Sequence, residues 1–504
     1  MILMIVHLIM ISFFRLFNMI KILCKNNFHF FHSLNLAISD KHSFKSKSYF
    51  CTVAKKIILT FLIFNLVFLV NLSWAKEVHI RVTEARDVGI KIVVLPFNNL
   101  AKYNQSKEIS SIITNDLNYS GQFKVLELDL EDLETMEKIP IYLEKVDFKF
   151  WRETGAEYLL MTKLYPSSDA QKLIVNLQLL DLYKPLDPIN LNTEIAKYPN
   201  ESPRKLAHRI SDIIFSKLTG IKSFFNTKIS YIRAERLGEQ NPEYSLNIAD
   251  FDGSNERRLL EVPYPLMSPS WSPDGTKISF VSFKGNRSSI NIANLTTGKI
   301  NVVTRYQGIN GAPAWSPSGD KLAIVLSKEG SPKIYILDIA TGHLQKVTQG
   351  MAIDTEPCWS RDGQEIFFTS NRGGKPQIYK ATLSDGQINR VTFNGEYNAT
   401  PTLTPDNRHL VMLHCKENCS KTETGFNIAV QCLDSGKVRV LTKIGMEDSP
   451  VVSPNGTMVL YSARPNKNSD RVLAGVSIDG HFNKYLFVAG NGSLKNPAWS
   501  PFLE

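Results

Sequence analysis

The reactive side chains of this 504-residue chain do not fall at catalytic spacings. No Gly-x-Ser-x-Gly occurs, so no serine is set on the sharp strand-to-helix turn that hydrolases with propeller domains use. The phosphate-cradling loops Gly-x-x-x-x-Gly-Lys-Ser/Thr and Gly-x-Gly-x-x-Gly are absent, as is His-Glu-x-x-His, which sets two zinc ligands on one helix face. The ten histidines are scattered singles. Asp274, Asp362 and Asp406 recur at regular spacing, but each stands in a tight-turn signature where Asp bonds its own backbone. Cys415 and Cys419 lack the two-residue spacing of a zinc knuckle. A disulfide between them, as an oxidising compartment would favour, and two free thiols both stay open. Catalytic, cofactor-binding and metal-ligating residues are therefore all expected to be none. Whether a cation such as calcium enters a central channel is left open.

What does recur is a structural unit. Trp271-Ser272-Pro273-Asp274-Gly275 returns at Trp315-Ser316-Pro317-Ser318-Gly319 and at Trp359-Ser360-Arg361-Asp362-Gly363. Weaker copies start at Leu403 and Val452, and a truncated copy is Trp499-Ser500-Pro501. The steps are 44, 44, 44, 49 and 47 residues. A period of about 40–50 residues with β-type patterning marks propeller blades. Each turn is followed by an alternating or β-branched run, such as Lys277 to Val281 or Lys321 to Val325, and then by further short strands. The unit from about Lys228 to Leu260 lacks its Trp-Ser-Pro copy, and the chain end carries a spare one at Trp499. A six-bladed ring follows, its first blade completed by the C-terminal strand, which removes the exposed sheet edges.

The net charge of +10 is misleading as a nucleic-acid signal. Residues 1–75 hold eight Lys/Arg and one acid, leaving 50 basic against 47 acidic residues in the rest. That leader reads as an export signal: Lys55-Lys56, an apolar core over 57–70, and Ser73-Trp74-Ala75 with cleavage after Ala75. The core is shorter than the roughly 20 residues a membrane span needs. An uncleaved anchor, and a translation start near Val53 that leaves 1–52 untranslated, stay open. From 76 to 223 the pattern is α/β. Val78 to Val82 alternates as an extended segment, Ile90 to Leu95 is a buried strand, and Ser106 is expected to cap a helix with Ile109, Ile112, Ile113 and Leu117 on one face. Short strands follow at Phe123 to Leu126, Tyr158 to Leu164 and Leu173 to Leu179, with a helix over Phe148 to Thr154. Ser202-Pro203 opens a last helix that Gly220 closes. The fold class is an α/β N-terminal domain followed by an all-β six-bladed β-propeller over 224–504.

This combination resembles the TolB family, the periplasmic component of the Tol–Pal system of Gram-negative bacteria. The resemblance runs from about Glu77 to the end. It rests on Lys217-Leu218-Thr219-Gly220-Ile221-Lys222, Pro265 to Gly275, Asn310-Gly311-Ala312-Pro313-Ala314-Trp315, Thr355-Glu356-Pro357, Asn455 to Val459 and Asn496 to Pro501. It implies a non-enzymatic, monomeric periplasmic adaptor that binds neither nucleic acid nor, after signal cleavage, the membrane. Its propeller binds the peptidoglycan-associated lipoprotein Pal, its N-terminal segment binds the TolA C-terminal domain, and it supports outer-membrane integrity during constriction in cell division. The matching N-terminal segment is 76–87, with Glu77, Val78, His79, Ile80, Arg81 and Val82 as TolA-binding residues. Their alternation suits strand addition to a partner's sheet edge, or an edge strand of the chain's own domain. The chain departs from the family after Thr83, where Glu84-Ala85-Arg86-Asp87 replaces a small, Gly-containing turn. For Pal, the resemblance points to the loops expected before each Trp-Ser-Pro strand: 265–268, 309–312, 354–357, 398–401, 447–450 and 494–496. Within them Met267, Ile309, Asn310, Ala312, Thr355 and Glu356 are the expected contacts. Ile309 stands where the family usually has a polar aromatic residue. An exported propeller hydrolase or lyase with a loop-built active site is the alternative.

Overall fold

The computed structural model describes residues 89–503 apart from 100–104, 130–138, 141, 167–172, 185–192, 198–200, 237–241, 286, 420–424 and 488–491. The leader and the segment Glu77 to Val82 lie outside the described residues. The N-terminal domain runs β1 (Ile90–Val94), β2 (Asn98–Asn99), α1 (Ser106–Tyr119), β3 (Phe123–Val125), α2 (Phe148–Glu153), β4 (Tyr158–Pro166), β5 (Leu173–Asp181), β6 (Thr193–Lys197) and α3 (Pro203–Thr219). Its sheet has the order β3-β1-β4-β5-β6, with β2 also paired to β4. The β1 partners are parallel and the β4-β5-β6 meander is antiparallel.

Alternation along the strands divides the core. Ile92, Leu160, Val175 and Leu177 face α1 and α3, whose Ile109, Ile113, Leu117, Leu206, Ile210 and Ile214 are buried. Val93, Leu95, Leu159 and Met161 face the other way, onto Trp151 of α2. Ser106 is the first residue of α1 rather than its cap; Gln105 holds the cap position and makes no side-chain cap bond. In α3 the Ser202 hydroxyl accepts from the Lys205 N–H at 3.2 Å, Pro203 follows, and Gly220 ends the helix at φ 72°.

Six four-stranded antiparallel sheets form the propeller. The first strands of blades 2 to 6 are Leu266–Trp271, Asn310–Trp315, Asp354–Trp359, Tyr397–Leu403 and Glu447–Val452. That of blade 1 is the C-terminal strand Ser493–Trp499, which pairs antiparallel with Lys228–Glu235, the strand that opens the ring in sequence. Each first strand lies against those of both neighbouring blades, so the ring is closed around them. Trp271, Trp315 and Trp499 are buried between blades. The Trp315 and Trp359 indoles donate across the blade boundary to the Ser270 and Ala314 carbonyls at 3.1 and 3.0 Å. The recurring aspartates are turn-builders: Asp274, Asp362 and Asp406 each accept from the backbone N–H two residues on, at 3.0 Å. Cys415 and Cys419 are joined by a disulfide.

The two domains share one core. Phe215, Phe224, Phe225 and Phe251 form an aromatic cluster, and Phe224 lies edge-on to Trp499 at 5.4 Å. The α1–β3 turn needs glycine there: a Cβ on Gly121, at φ 69°, would come within 2.9 Å of Ser477. A buried polar chain runs alongside. His208 Nδ1 lies 2.8 Å from Asp116 Oδ2, and Arg204 lies 3.4 Å from the other His208 nitrogen and 2.5 Å from Asp252 of blade 1. Burial pulls the His208 pKa down, but the hydrogen bond and charge of Asp116 outweigh it and the net shift is upward. The ion pair therefore stabilises the fold just below about pH 6.5; that stability is lost as pH rises through the raised His208 value, and also at lower pH as Asp116, whose pKa burial raises, takes up a proton. His208→Gln should lower stability at pH 6 by about 1–3 kcal/mol. Thermal unfolding from pH 6 to 9 should show the gap to wild type narrowing as pH rises; a constant or widening gap would contradict the pairing.

Candidate functional site

Because the strands of each blade alternate in direction, the Ser-Pro-Asp-Gly turns lie on one face of the ring and the starts of the first strands lie on the other. The α/β domain is tied to the turn face, through Arg204 to Asp252 and through the Lys222 carbonyl to Asn455. The segments expected as loops before each Trp-Ser-Pro strand are, in the structure, mostly the first halves of the innermost strands themselves. Their six copies line the opposite mouth as stacked rings.

The outermost ring is Leu266, Asn310, Asp354, Asn398, Glu447 and Leu494, all buried. The polar members fold the preceding loop back onto the strand. Asn310 accepts from the Tyr306 N–H at 2.8 Å and donates to the Tyr306 carbonyl at 2.7 Å. Asn398 donates to the Asn394 carbonyl at 2.8 Å, and Glu447 accepts from the Gly445 N–H at 2.8 Å. Asp354 instead pairs with Arg372 at 2.9 Å and lies 3.5 Å from Lys333. Asn310, expected as a partner contact, is 0% exposed. Its hydrogen bonds hold the loop that presents Ile309, which is 49% exposed.

The third ring is a repeated backbone irregularity. Ser268, Ala312, Glu356, Thr400, Ser449 and Asn496 all have positive φ, between 44° and 55°, and none is glycine. Each precedes a proline. Each sits where the pairing with the second strand shifts register, so two residues of the first strand oppose one of its partner. Proline suits a bulge because it has no N–H to leave unpaired. A non-glycine residue in this conformation costs of order 1–3 kcal/mol, so the surrounding contacts must hold it. Glu356 shows how. Its carboxylate accepts from the Thr369 hydroxyl at 2.7 Å and from the Thr400 N–H of blade 5 at 2.9 Å. Burial raises its pKa, against those two hydrogen bonds. Asn496 likewise donates to the Ser449 hydroxyl across blades 6 and 1, at 3.0 Å. Ala312 of this ring and Thr355 beside it are half-buried.

Around the rings the mouth is apolar. Met267 and Ile309 are exposed, and so are Ile353, Met351 at 94% and Phe393 at 71%. Sequence reasoning missed the last three. Their signal was an apolar residue beside a turn glycine, Gly350-Met351 and Phe393-Asn394-Gly395, where a polar one is usual. An exposed apolar patch rimmed by polar groups marks an interaction surface.

Two further features bear on chemistry. Among the described residues, Asp116, His208 and Asp252 bring ligand-type atoms within 4.8 Å of one another. The Arg204 guanidinium already fills the gap between His208 and Asp252, so a cation there would meet a cation. No described helix is long and apolar enough to cross a membrane.

The bulge makes a prediction opposite to strand propensity. In a regular strand Val would be favoured and Gly disfavoured. At Ser268, at φ 52°, Ser268→Gly should hold or raise the thermal midpoint, whereas Ser268→Val should cost about 1–3 kcal/mol. The reverse order would remove the left-handed assignment.

Residues 215–503 match the family model described as the TolB beta propeller domain, and residues 78–185 match the TolB amino-terminal domain. The Tol-Pal system protein TolB of Hydrogenovibrio crunogenus is 45% identical over 451 residues, covering 89% of this chain and 99% of that protein. That of Pseudomonas aeruginosa is 48% identical over 423 residues, covering 84% and 94%. The crystal structure of TolB from Acinetobacter baumannii superposes with a TM-score of 0.73 at 32% identity, over 83% of this chain and 98% of that one. The chain belongs to the TolB family of Tol–Pal system proteins.

Proposed function

We propose that this protein is a non-enzymatic periplasmic adaptor that holds Pal at the propeller mouth and offers its N-terminal segment to TolA. The single observation that carries the reading is the mouth itself: rings of strained, cross-bonded residues surrounded by exposed apolar side chains, on the face opposite the α/β domain. Such a surface is preorganised, so less ordering entropy is lost when a partner docks. Met267, Ile309, Ala312, Thr355 and Glu356 remain its candidate contacts, with Met351, Ile353 and Phe393 added and Asn310 acting by holding its loop. On this reading Glu77, Val78, His79, Ile80, Arg81 and Val82 add as a strand to TolA, the protein works as a monomer without a cofactor, and the linkage supports the outer membrane during division.

Calorimetric titration of the mature chain, residues 76–504, with the Pal domain of the same organism tests it. Saturable binding is expected. Met351→Ser with Phe393→Ser should weaken it at least tenfold without shifting the thermal midpoint, because truncating central apolar anchors costs about 1–2 kcal/mol each or more. Glu356→Ala should weaken it too, by releasing the Thr400 N–H. Absence of binding by the folded wild-type protein would end the adaptor reading.

A further inference from the structure

Between blades 5 and 6 the mouth deepens into a cleft of about 390 Å³. One wall is apolar: Tyr397 and Phe426 meet edge-on at 5.1 Å, beside Met446. The other carries Arg464 and Arg471, from the loop between the second and third strands of blade 6. Arg464 Nε and Arg471 Nη1 are buried and have no hydrogen-bond partner, and among the described residues neither guanidinium is in an ion pair. Lys495, on the first strand of blade 1, adds a third cation to the same electrostatic neighbourhood. Burial lowers the pKa of both Arg471 and Lys495; the charges of Arg471 and Arg464 add to it at Lys495, whereas at Arg471 the nearby Asp448 opposes it.

The facing carboxylates offset this cluster only in part: Asp448 and Glu447 act on Arg471 through their charge, but neither is bonded to Arg464 Nε or Arg471 Nη1. Glu447 is engaged by the Ile444 and Gly445 amides. Asp470 accepts from the Ser493 hydroxyl, and Asp448 accepts from the Ser449 N–H at 2.8 Å. A buried guanidinium N–H without an acceptor costs about 1–3 kcal/mol or more. Two buried donors are therefore left without an acceptor, a number that the two oxygens of one carboxylate match.

We propose that this cleft receives an Asp or Glu side chain of the partner docked at the mouth; the inference rests on the adaptor reading above. A carboxylate suits it better than a phosphate. The guanidinium fork matches a planar, singly charged group, and Glu447 and Asp448 in the same wall would repel a dianion. The aromatic wall suits the apolar stem and neighbours of a side chain rather than a free hydrated ion. Exposed Ile444, on the loop that leads into Met446, continues that apolar surface.

The test is a double-mutant cycle by calorimetry between the mature chain and its Pal domain, with Arg464→Met, Arg471→Met and the charge-keeping Arg471→Lys. Each surface Asp or Glu of the Pal domain is changed singly to its amide. Arg471→Met should weaken binding at least tenfold and flatten its salt dependence, Arg471→Lys should weaken it less, and Lys467→Met in the same exposed loop should leave it unchanged. One acidic Pal variant should weaken wild type by a similar factor and cost nothing further against Arg471→Met. Arginine variants that bind like wild type, or losses additive with every acidic Pal variant, would overturn the carboxylate assignment while leaving the adaptor standing. If wild type itself does not bind Pal, both fall. Should Arg471→Met not fold, Arg471→Lys and the Pal scan against wild type decide alone.

Discussion

Everything in this molecule depends on a strand pairing between its two distant parts. Ser493–Trp499 closes the ring against Lys228–Glu235, with Trp499 opposite Ile229. The Trp499 indole donates to the Thr227 hydroxyl at 2.8 Å, across 272 residues of chain. Loop-closure entropy grows only slowly with length, so this distant contact costs little more than a shorter one. In return no blade is left a strand short, and only short outer edges remain. The same strand touches the α/β domain, because Phe224 stacks edge-on to Trp499 and onto Phe251. Ring closure and domain docking are thus one packing event.

Closure also explains how six strained residues are tolerated. A left-handed residue before a proline would relax if its strand were free to slide. Here every first strand is wedged between two others, and hydrogen bonds such as Glu356 to Thr400 and Asn496 to Ser449 run from blade to blade. The bulge re-aims the strand so that the residues above it open outward as a rim. Buried anchors at the strand starts then fix the loops that carry Ile309, Phe393 and Ile444. Strain concentrated at one end of the channel, with apolar side chains such as Met351, Ile309 and Ile353 exposed around it, fits a surface built to receive a partner.

Much of this was legible in the sequence because it rests on period and turn chemistry. The 44-residue recurrence, the missing first copy and the spare Trp499 were enough to foresee six blades and their closure. Helix α3 declared itself through Ser202, Pro203 and Gly220. Other features were not legible for physical reasons. Ser106 is a good capping residue by type, yet the helix begins one position earlier in register. Strand β2, of two residues, is too short for alternation to register, and Thr193-Glu194-Ile195-Ala196-Lys197 of β6 offers one large apolar residue. The repeated X-Pro looked like loop punctuation, since nothing local distinguishes a bulge from a loop until the second strand's register is known. The resemblance put Asn310 among the contacts; only its 0% exposure identifies it as the anchor behind Ile309. The arginine cleft joins residues from two blades with Lys495 of a third, which no local pattern reveals.

The claim on which the account turns is that the mouth, and not the turn face or the interdomain groove, is the surface where the propeller meets its partner. Hydrogen–deuterium exchange of the mature chain with and without the Pal domain tests it most directly. Protection should appear in the segments 305–312, 349–357, 392–400 and 443–450, with the Ser-Pro-Asp-Gly turns unchanged. Protection confined to those turns or to α3, with the mouth segments exchanging as in the free protein, would contradict the account.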